Sequence, residues 1–229
     1  MGPSVFEVPL PGARAYFSTR LGGVSEGAYR SLNLGVLTDD DQTRVEENRR
    51  LLLRRAGVGE VAFGHQVHGA ELAEWTGPSG RPLLEVDGHA TSERGLALLV
   101  LVADCLPVAL AGGERVAMLH CGWRGLAAGI VERALETFGE PPAAALGPCI
   151  GQCCYEVGPE VLEAFAGVDG VADGRMLDLR AVAEAKLRAA GVRTVRHMEA
   201  CTSCNPDLLF SHRRDGGVTG RQCGIVVRT

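Results

Sequence analysis

The chain has 229 residues, 46% of them hydrophobic and 22% charged, with a net charge of −5. That length and balance describe one large globular domain, read here as a single unit over residues 1–229, with ample apolar side chains for a core. The mild negative charge argues against a nucleic-acid surface. The longest apolar run, Leu96 to Ala103, falls far short of the roughly 18 residues that a membrane helix needs. No basic stretch followed by an apolar core opens the chain, which predicts a cytoplasmic protein, a monomer or a homodimer. In that compartment the eight cysteines are expected as buried, metal-bound or catalytic thiols rather than disulfides.

Val5 to Leu10 and Ala13 to Ser18 read as short strands around a Pro11-Gly12 turn. Thr19 to Gly35 has neither helical nor strand period and reads as a long loop, of the kind that carries function in a compact domain. Asp39, Asp40 and Asp41 suit a helix N-terminus. Val45, Leu52 and Ala56 mark that helix's buried stripe and Gly57 its end, while Arg44, Arg49, Arg50, Arg54 and Arg55 are expected on a solvated face. Val61 to Val67 and Glu71 to Trp75 read as strands, Asp87 to Thr91 as irregular. Leu96 to Val102 is a continuous apolar strand ending at Asp104 and Cys105, after which Pro107 is expected to limit sheet pairing. A second buried strand, Arg115 to Leu119, delivers His120 and Cys121 into a glycine-bearing turn, and a helix is predicted from Leu126 to Phe138. Ala143 to Leu146 and Thr194 to His197 read as strands, Pro159 to Ala166 and Leu179 to Ala190 as helices, and the tail as a closing strand. The class is α+β, with helices covering a mixed sheet.

The chemistry concentrates where the two apolar strands end. Cys105 and His120, 15 positions apart, stand where a core holds the backbone while side chains face a cleft. His65 and His68 in H-Q-V-H are three apart and would lie on opposite faces of a strand, so one of them is expected to join the pair. Two imidazoles and a thiolate suit a catalytic zinc with a fourth position open to water or substrate. The gaps of 37 and 15 positions fit no short metal motif. A second reading therefore stands beside the first: Cys105 as a small core hydrophobe and His120 as a hydrogen-bonded strand end. Asp104 can orient a ligand histidine, act in acid–base catalysis, or be a satisfied strand-end carboxylate. Arg20, Arg124, Arg213, Arg214 and Arg221 lie in irregular segments, where guanidinium forks suit phosphate or carboxylate; one or two are expected in an anion pocket. The later cysteines, C-x3-C-C (149, 153, 154), C-x2-C (201, 204) and Cys223, depart from the usual zinc-ribbon spacing. A structural zinc site is the lesser reading of them; they are expected first as buried or redox-labile thiols.

The stretches STRLGGVSEGAYRSLNLG, HQVHG, DGHAT, ADCLPV, HCGWRG, GPCIGQCCYEVG, CTSCNPDLLFSHRRDG and a final GR occur in order from Ser18 to Arg221. In them the chain resembles the YfiH-type laccase-domain proteins, also called polyphenol oxidases and regarded as purine nucleoside phosphorylases with adenosine deaminase activity. The resemblance implies a layered α/β/β/α sandwich with mixed sheets and one zinc held by His68, Cys105 and His120, which chooses His68 over His65. It implies purine nucleoside and phosphate as substrates. Adenosine, inosine, guanosine or methylthioadenosine would be split to free base and ribose 1-phosphate, and adenosine deaminated to inosine. Asp104, Cys105 and Arg20 are the catalytic candidates; Arg20, Arg124 and Arg213 are those for phosphate or substrate. Cys121 stands where many members have alanine, which keeps copper open beside zinc, since softer metals favour thiolates. Multicopper chemistry needs many histidines, generally as H-x-H pairs; six histidines and no such pair argue against it. The competing readings are a metal-free cysteine hydrolase using Cys105 and His120 and copper-dependent polyphenol oxidation.

Overall fold

The structure of the chain, a computed structural model, describes residues 4–229. Its elements run β1 (Val5–Leu10), β2 (Ala13–Ser18), α1 (Gln42–Ala56), β3 (Glu60–Ala62), β4 (Leu72–Glu74), β5 (Gly88–Thr91), β6 (Leu96–Val102), β7 (Leu106–Gly112), β8 (Arg115–Cys121), α2 (Trp123–Ala127), α3 (Ile130–Leu135), β9 (Ala143–Leu146), α4 (Pro159–Glu163), β10 (Ala172–Asp173), β11 (Met176–Leu177), α5 (Leu179–Ala189), β12 (Val195–His197) and β13 (Gln222–Arg228). One sheet has the order β1-β2-β13-β6-β3, a second the order β12-β9-β7-β8-β5-β4, and β10 pairs with β11. Both large sheets are mixed: β3 and β6 are parallel, as are β4 and β5 and β9 and β12, and the remaining pairs are antiparallel.

The apolar runs lack a polar face because both of their faces are buried. Along β6, Leu96, Leu98, Val100 and Val102 enter the core between the sheets, while Ala97, Leu99 and Leu101 pack on the other side with Leu52 and Ala56 of α1. β8 does the same from the second sheet. Val116 and Met118 face the first sheet; Ala117, Leu119 and Cys121 pack with residues of α2, α3 and α5. Period-two alternation thus sorts side chains into three cores and stacks four layers, helix, sheet, sheet, helix. The layered α+β expectation holds.

Local chemistry explains the ends of α1. Asp41 caps it, accepting from the Thr43 and Arg44 amides, and Gly57 closes it with φ +66°, the left-handed conformation that favours glycine. Its arginines are not all solvated as expected. Arg49 Nε donates to Leu34 O at 2.9 Å and its guanidinium lies 5.0 Å from the Phe63 ring.

Three further expectations are corrected. Pro107 does not limit pairing: it sits in β7 opposite His120. The His120 amide donates away from β7, to Asp87 O at 2.8 Å, so proline's missing N–H costs the β8 ladder nothing. On its other side Pro107 O accepts from the Gly147 amide at 2.9 Å, one residue past the end of β9, where a missing return bond interrupts no strand. Residues 88–91 are not irregular but a buried strand, β5, paired on both sides; Gly-His-Ala-Thr carries no apolar signal to reveal it. The helix expected over 126–138 is two short ones, α2 and α3, parted by Gly129 at φ +89°.

Candidate metal centre and substrate cleft

β6 belongs to the first sheet and β7 to the second, so residues 103–105 cross from one to the other at the end of the sandwich. Asp104 makes the crossing at φ +91°. This crossing sets Cys105 beside His120, the penultimate residue of β8. His68 comes from the segment after β3, at φ +60°. The strand expected to run to Val67 ends at Ala62, so alternation does not decide between the two histidines. His65 and His68 both line the same cleft, and only His68 groups with Cys105 and His120.

One donor atom from each of His68, Cys105 and His120 lies within 4.8 Å of the others, and the two imidazoles meet edge-on with centroids 4.9 Å apart. His120 Nδ1 is 2.6 Å from Asp87 Oδ1. A buried ionised carboxylate only accepts, so Nδ1 carries a proton and Nε2 is the nitrogen left to face Cys105, where it can offer its lone pair to an ion. Asp87 is itself saturated by the amides of Val67 (2.9 Å), His68 (3.0 Å) and Gly69 (2.8 Å). Burial works against its charge, but the His120 ring and these amides hold its carboxyl below the usual range. Burial likewise opposes charge on Cys105 and His120. Their mutual attraction prevails with help from Asp87 and His68, drawing the thiol down and the imidazole up toward a thiolate–imidazolium pair. At Gly122 a Cβ would stand 3.1 Å from His68 Cδ2 and 3.2 Å from Cys105 Sγ, so glycine keeps the donors' surroundings open. Two imidazoles and a thiolate, one ring oriented by a carboxylate, fit a single borderline-soft divalent ion.

The three donors lie in the wall of a cleft of about 830 Å³, which also exposes Phe63, Leu101, Trp123, Tyr155, Arg124, Arg213 and Arg221. Arg124 lies over the Trp123 ring at 4.5 Å and Arg213 over Tyr155 at 5.3 Å; Arg213 also donates to Glu156 O at 2.9 Å. Burial pushes the Tyr155 phenol up to about 12, so it stays protonated. Arg20 is not among the residues that line the cleft. Its guanidinium donates to Arg30 O and Pro206 O and lies over Phe210. Arg214 pairs with Asp215 and with carbonyls of Thr202 and Leu209. Asp104 lines the cleft, but its carboxylate accepts from Thr202 Oγ1 and from the Arg213 amide at 2.7 Å. It holds the Arg213 segment through that amide; Asp87, not Asp104, is the carboxylate bonded to the His120 ring. Asp87 and Tyr155 each stand in one of the stretches that carry the resemblance, but neither has a spacing that marks it as a site residue.

A family model described as multi-copper polyphenol oxidoreductase laccase matches residues 14–229. The chain belongs to that family. Laccase-family relatives include the purine nucleoside phosphorylase YfiH of Escherichia coli, 37% identical with 95% of each chain covered. A purine nucleoside phosphorylase of Pseudomonas aeruginosa is 39% identical over the same shares. Among solved structures, a Neisseria meningitidis protein superposes with TM-score 0.88 at 33% identity, covering 99% of both chains. YlmD of Geobacillus stearothermophilus reaches 0.86 at 33% identity, covering 96% of this chain and 93% of its own. A multicopper centre does not fit this laccase-family chain. Among the described residues, the groups able to hold an ion are His68–Cys105–His120 and a set of four cysteines, with two histidines between them.

Proposed function

We propose that the chain is a metal-dependent purine nucleoside phosphorylase that also deaminates adenosine. The observation that carries this reading is one cleft holding both the His68–Cys105–His120 donors and Arg124, Arg213 and Arg221. Its volume of about 830 Å³ is within the range of small-molecule sites. Trp123, Tyr155 and Phe63 offer flat apolar surface to a purine, and the arginines offer forked donors to phosphate. The names of the relatives from Escherichia coli and Pseudomonas aeruginosa point the same way.

His68, Cys105 and His120 would hold the ion, zinc by the chemistry of this donor set, and it would supply Lewis acidity to a reacting oxygen. The arginines bind phosphate and neutralise its charge as one of its oxygens forms a bond to ribose C1′. The glycosidic bond breaks toward the purine, which takes up a proton, leaving free base and ribose 1-phosphate. Asp104 acts through the backbone of Arg213, fixing where that guanidinium starts. Deamination adds water at C6 of adenosine and expels ammonia.

Chromatography of adenosine incubated with the metal-loaded protein tests the reading. Adenine should appear only when phosphate is present, and inosine with or without it. No product from any purine nucleoside would overturn it. The thiolate–imidazolium pair of Cys105 and His120 also suits a metal-free cysteine hydrolase; that alternative predicts activity that survives chelation and is lost on thiol alkylation.

A further inference from the structure

Four of the later cysteines, for which the spacing favours buried or redox-labile thiols over a zinc site, come together in space. Cys153 and Cys154 lie in the turn after Ile150, and Cys201 and Cys204 lie nearly 50 positions later, in the segment after β12. The two segments are joined by an isolated bridge between Cys149 and Cys201, in which the Thr202 amide donates to Cys149 O at 3.0 Å. All four sulfurs lie within 4.8 Å of one another; Cys204 Sγ is 3.4 Å from Cys154 Sγ and 3.6 Å from Cys153 Sγ. Four thiolates around zinc at about 2.3 Å stand about 3.8 Å apart, whereas a disulfide needs about 2.05 Å. The spread is too tight to enclose a cluster of several irons.

Two details of the surroundings favour sulfur as a ligand. The Gly151 amide donates to Cys201 Sγ at 3.2 Å, the outer-shell bond that stabilises a metal-bound thiolate. A Cβ at Gly151 would sit 3.2 Å from Cys153 Sγ and 3.2 Å from Cys201 Cβ, so glycine lets the two turns close on each other.

We infer that Cys153, Cys154, Cys201 and Cys204 hold a structural zinc ion, separate from the cleft's metal centre. Each thiol gives its proton to solvent on binding, so Zn²⁺ with four thiolates carries a net charge of −2 and leaves no position open. The ion fastens a segment of the cleft wall, which includes Ile150 and Tyr155, to one that braces the cleft residue Asp104 from behind. Tyr155 follows Cys154 directly, and Thr202 follows Cys201 and donates to Asp104. The spacing hid the site because its ligands come as an adjacent pair and a C-x2-C far apart in the chain.

The test is metal stoichiometry on reduced, zinc-loaded and desalted protein, with Co²⁺-loaded samples read by visible absorption. The wild type should hold two zinc ions per chain. Cys105→Ala should hold one and keep the intense tetrathiolate cobalt spectrum. Cys204→Ser should also hold one, but lose that spectrum and expose Cys153, Cys154 and Cys201 to alkylation. The wild type and Cys105→Ala decide the matter even if Cys204→Ser fails to fold. The inference is overturned if the wild type holds one zinc and Cys105→Ala none, if no tetrathiolate spectrum forms, or if these four cysteines are found as disulfides after zinc loading. No readout depends on nucleoside turnover, so failure here is distinct from failure of the proposed function.

Discussion

Two buried polar residues, two positions apart, are handled in opposite ways. Asp87 is kept charged by the His120 ring and three amides. His89 is kept neutral: Trp75 Nε1 donates to its Nδ1 at 3.2 Å, its Nε2 has no partner, and burial pushes its pKa from 6.5 to about 4. Between those pH values the unfolded chain binds a proton at this residue that the folded chain does not. Stability from His89 is therefore whole above pH 6.5 and falls as pH drops toward 4, by about 3 kcal/mol in all. Urea unfolding at pH 7 and pH 4 should show the wild type losing about that much more than His89→Gln, which cannot titrate; equal losses would contradict the assignment.

At the scale of elements, strands buried on both faces were the most legible, because unbroken apolar runs such as Leu96–Val102 leave no other reading. The capped helix α1 was equally plain from Asp41 and Gly57. Hidden were elements whose cues are tertiary. β5 is made of small and polar residues that only its neighbours bury, and β7 contains a proline tolerated by register. Close approach of the two sheets is also tertiary. A Cβ at Gly147 would meet the Phe17 ring from the first sheet and stand 2.7 Å from Pro107 Cγ of the second. Overpacking of this kind costs about 1–3 kcal/mol, and a chain of this size loses roughly 2–4 °C per kcal/mol. Gly147→Ala should thus melt about 2–12 °C lower by calorimetry; an unchanged melting temperature would refute the packing argument.

Across the whole molecule, two sheets share a core and the chain crosses between them at residues 103–105. The crossing brings a thiol, two imidazoles and several arginines to one cleft. Cys105 and His120 were legible as strand ends. The choice of His68 over His65 was not legible from spacing, because it rests on a left-handed residue after β3 rather than on strand alternation. The arginines were legible only as a set: Arg124, Arg213 and Arg221 line the cleft, the last two also donating to nearby carbonyls, whereas Arg20 and Arg214 lie outside it on carbonyls and Asp215. No helix among the described residues is long and apolar enough to cross a membrane. The proposed function needs the three distant segments of His68, Cys105 and His120 to share one ion. Metal content and phosphate-dependent inosine cleavage, measured together on Cys105→Ala and the wild type, test that most directly. The variant is expected to lose the cleft's ion and at least about a hundredfold in turnover together, whereas full turnover without that ion would contradict the proposed function.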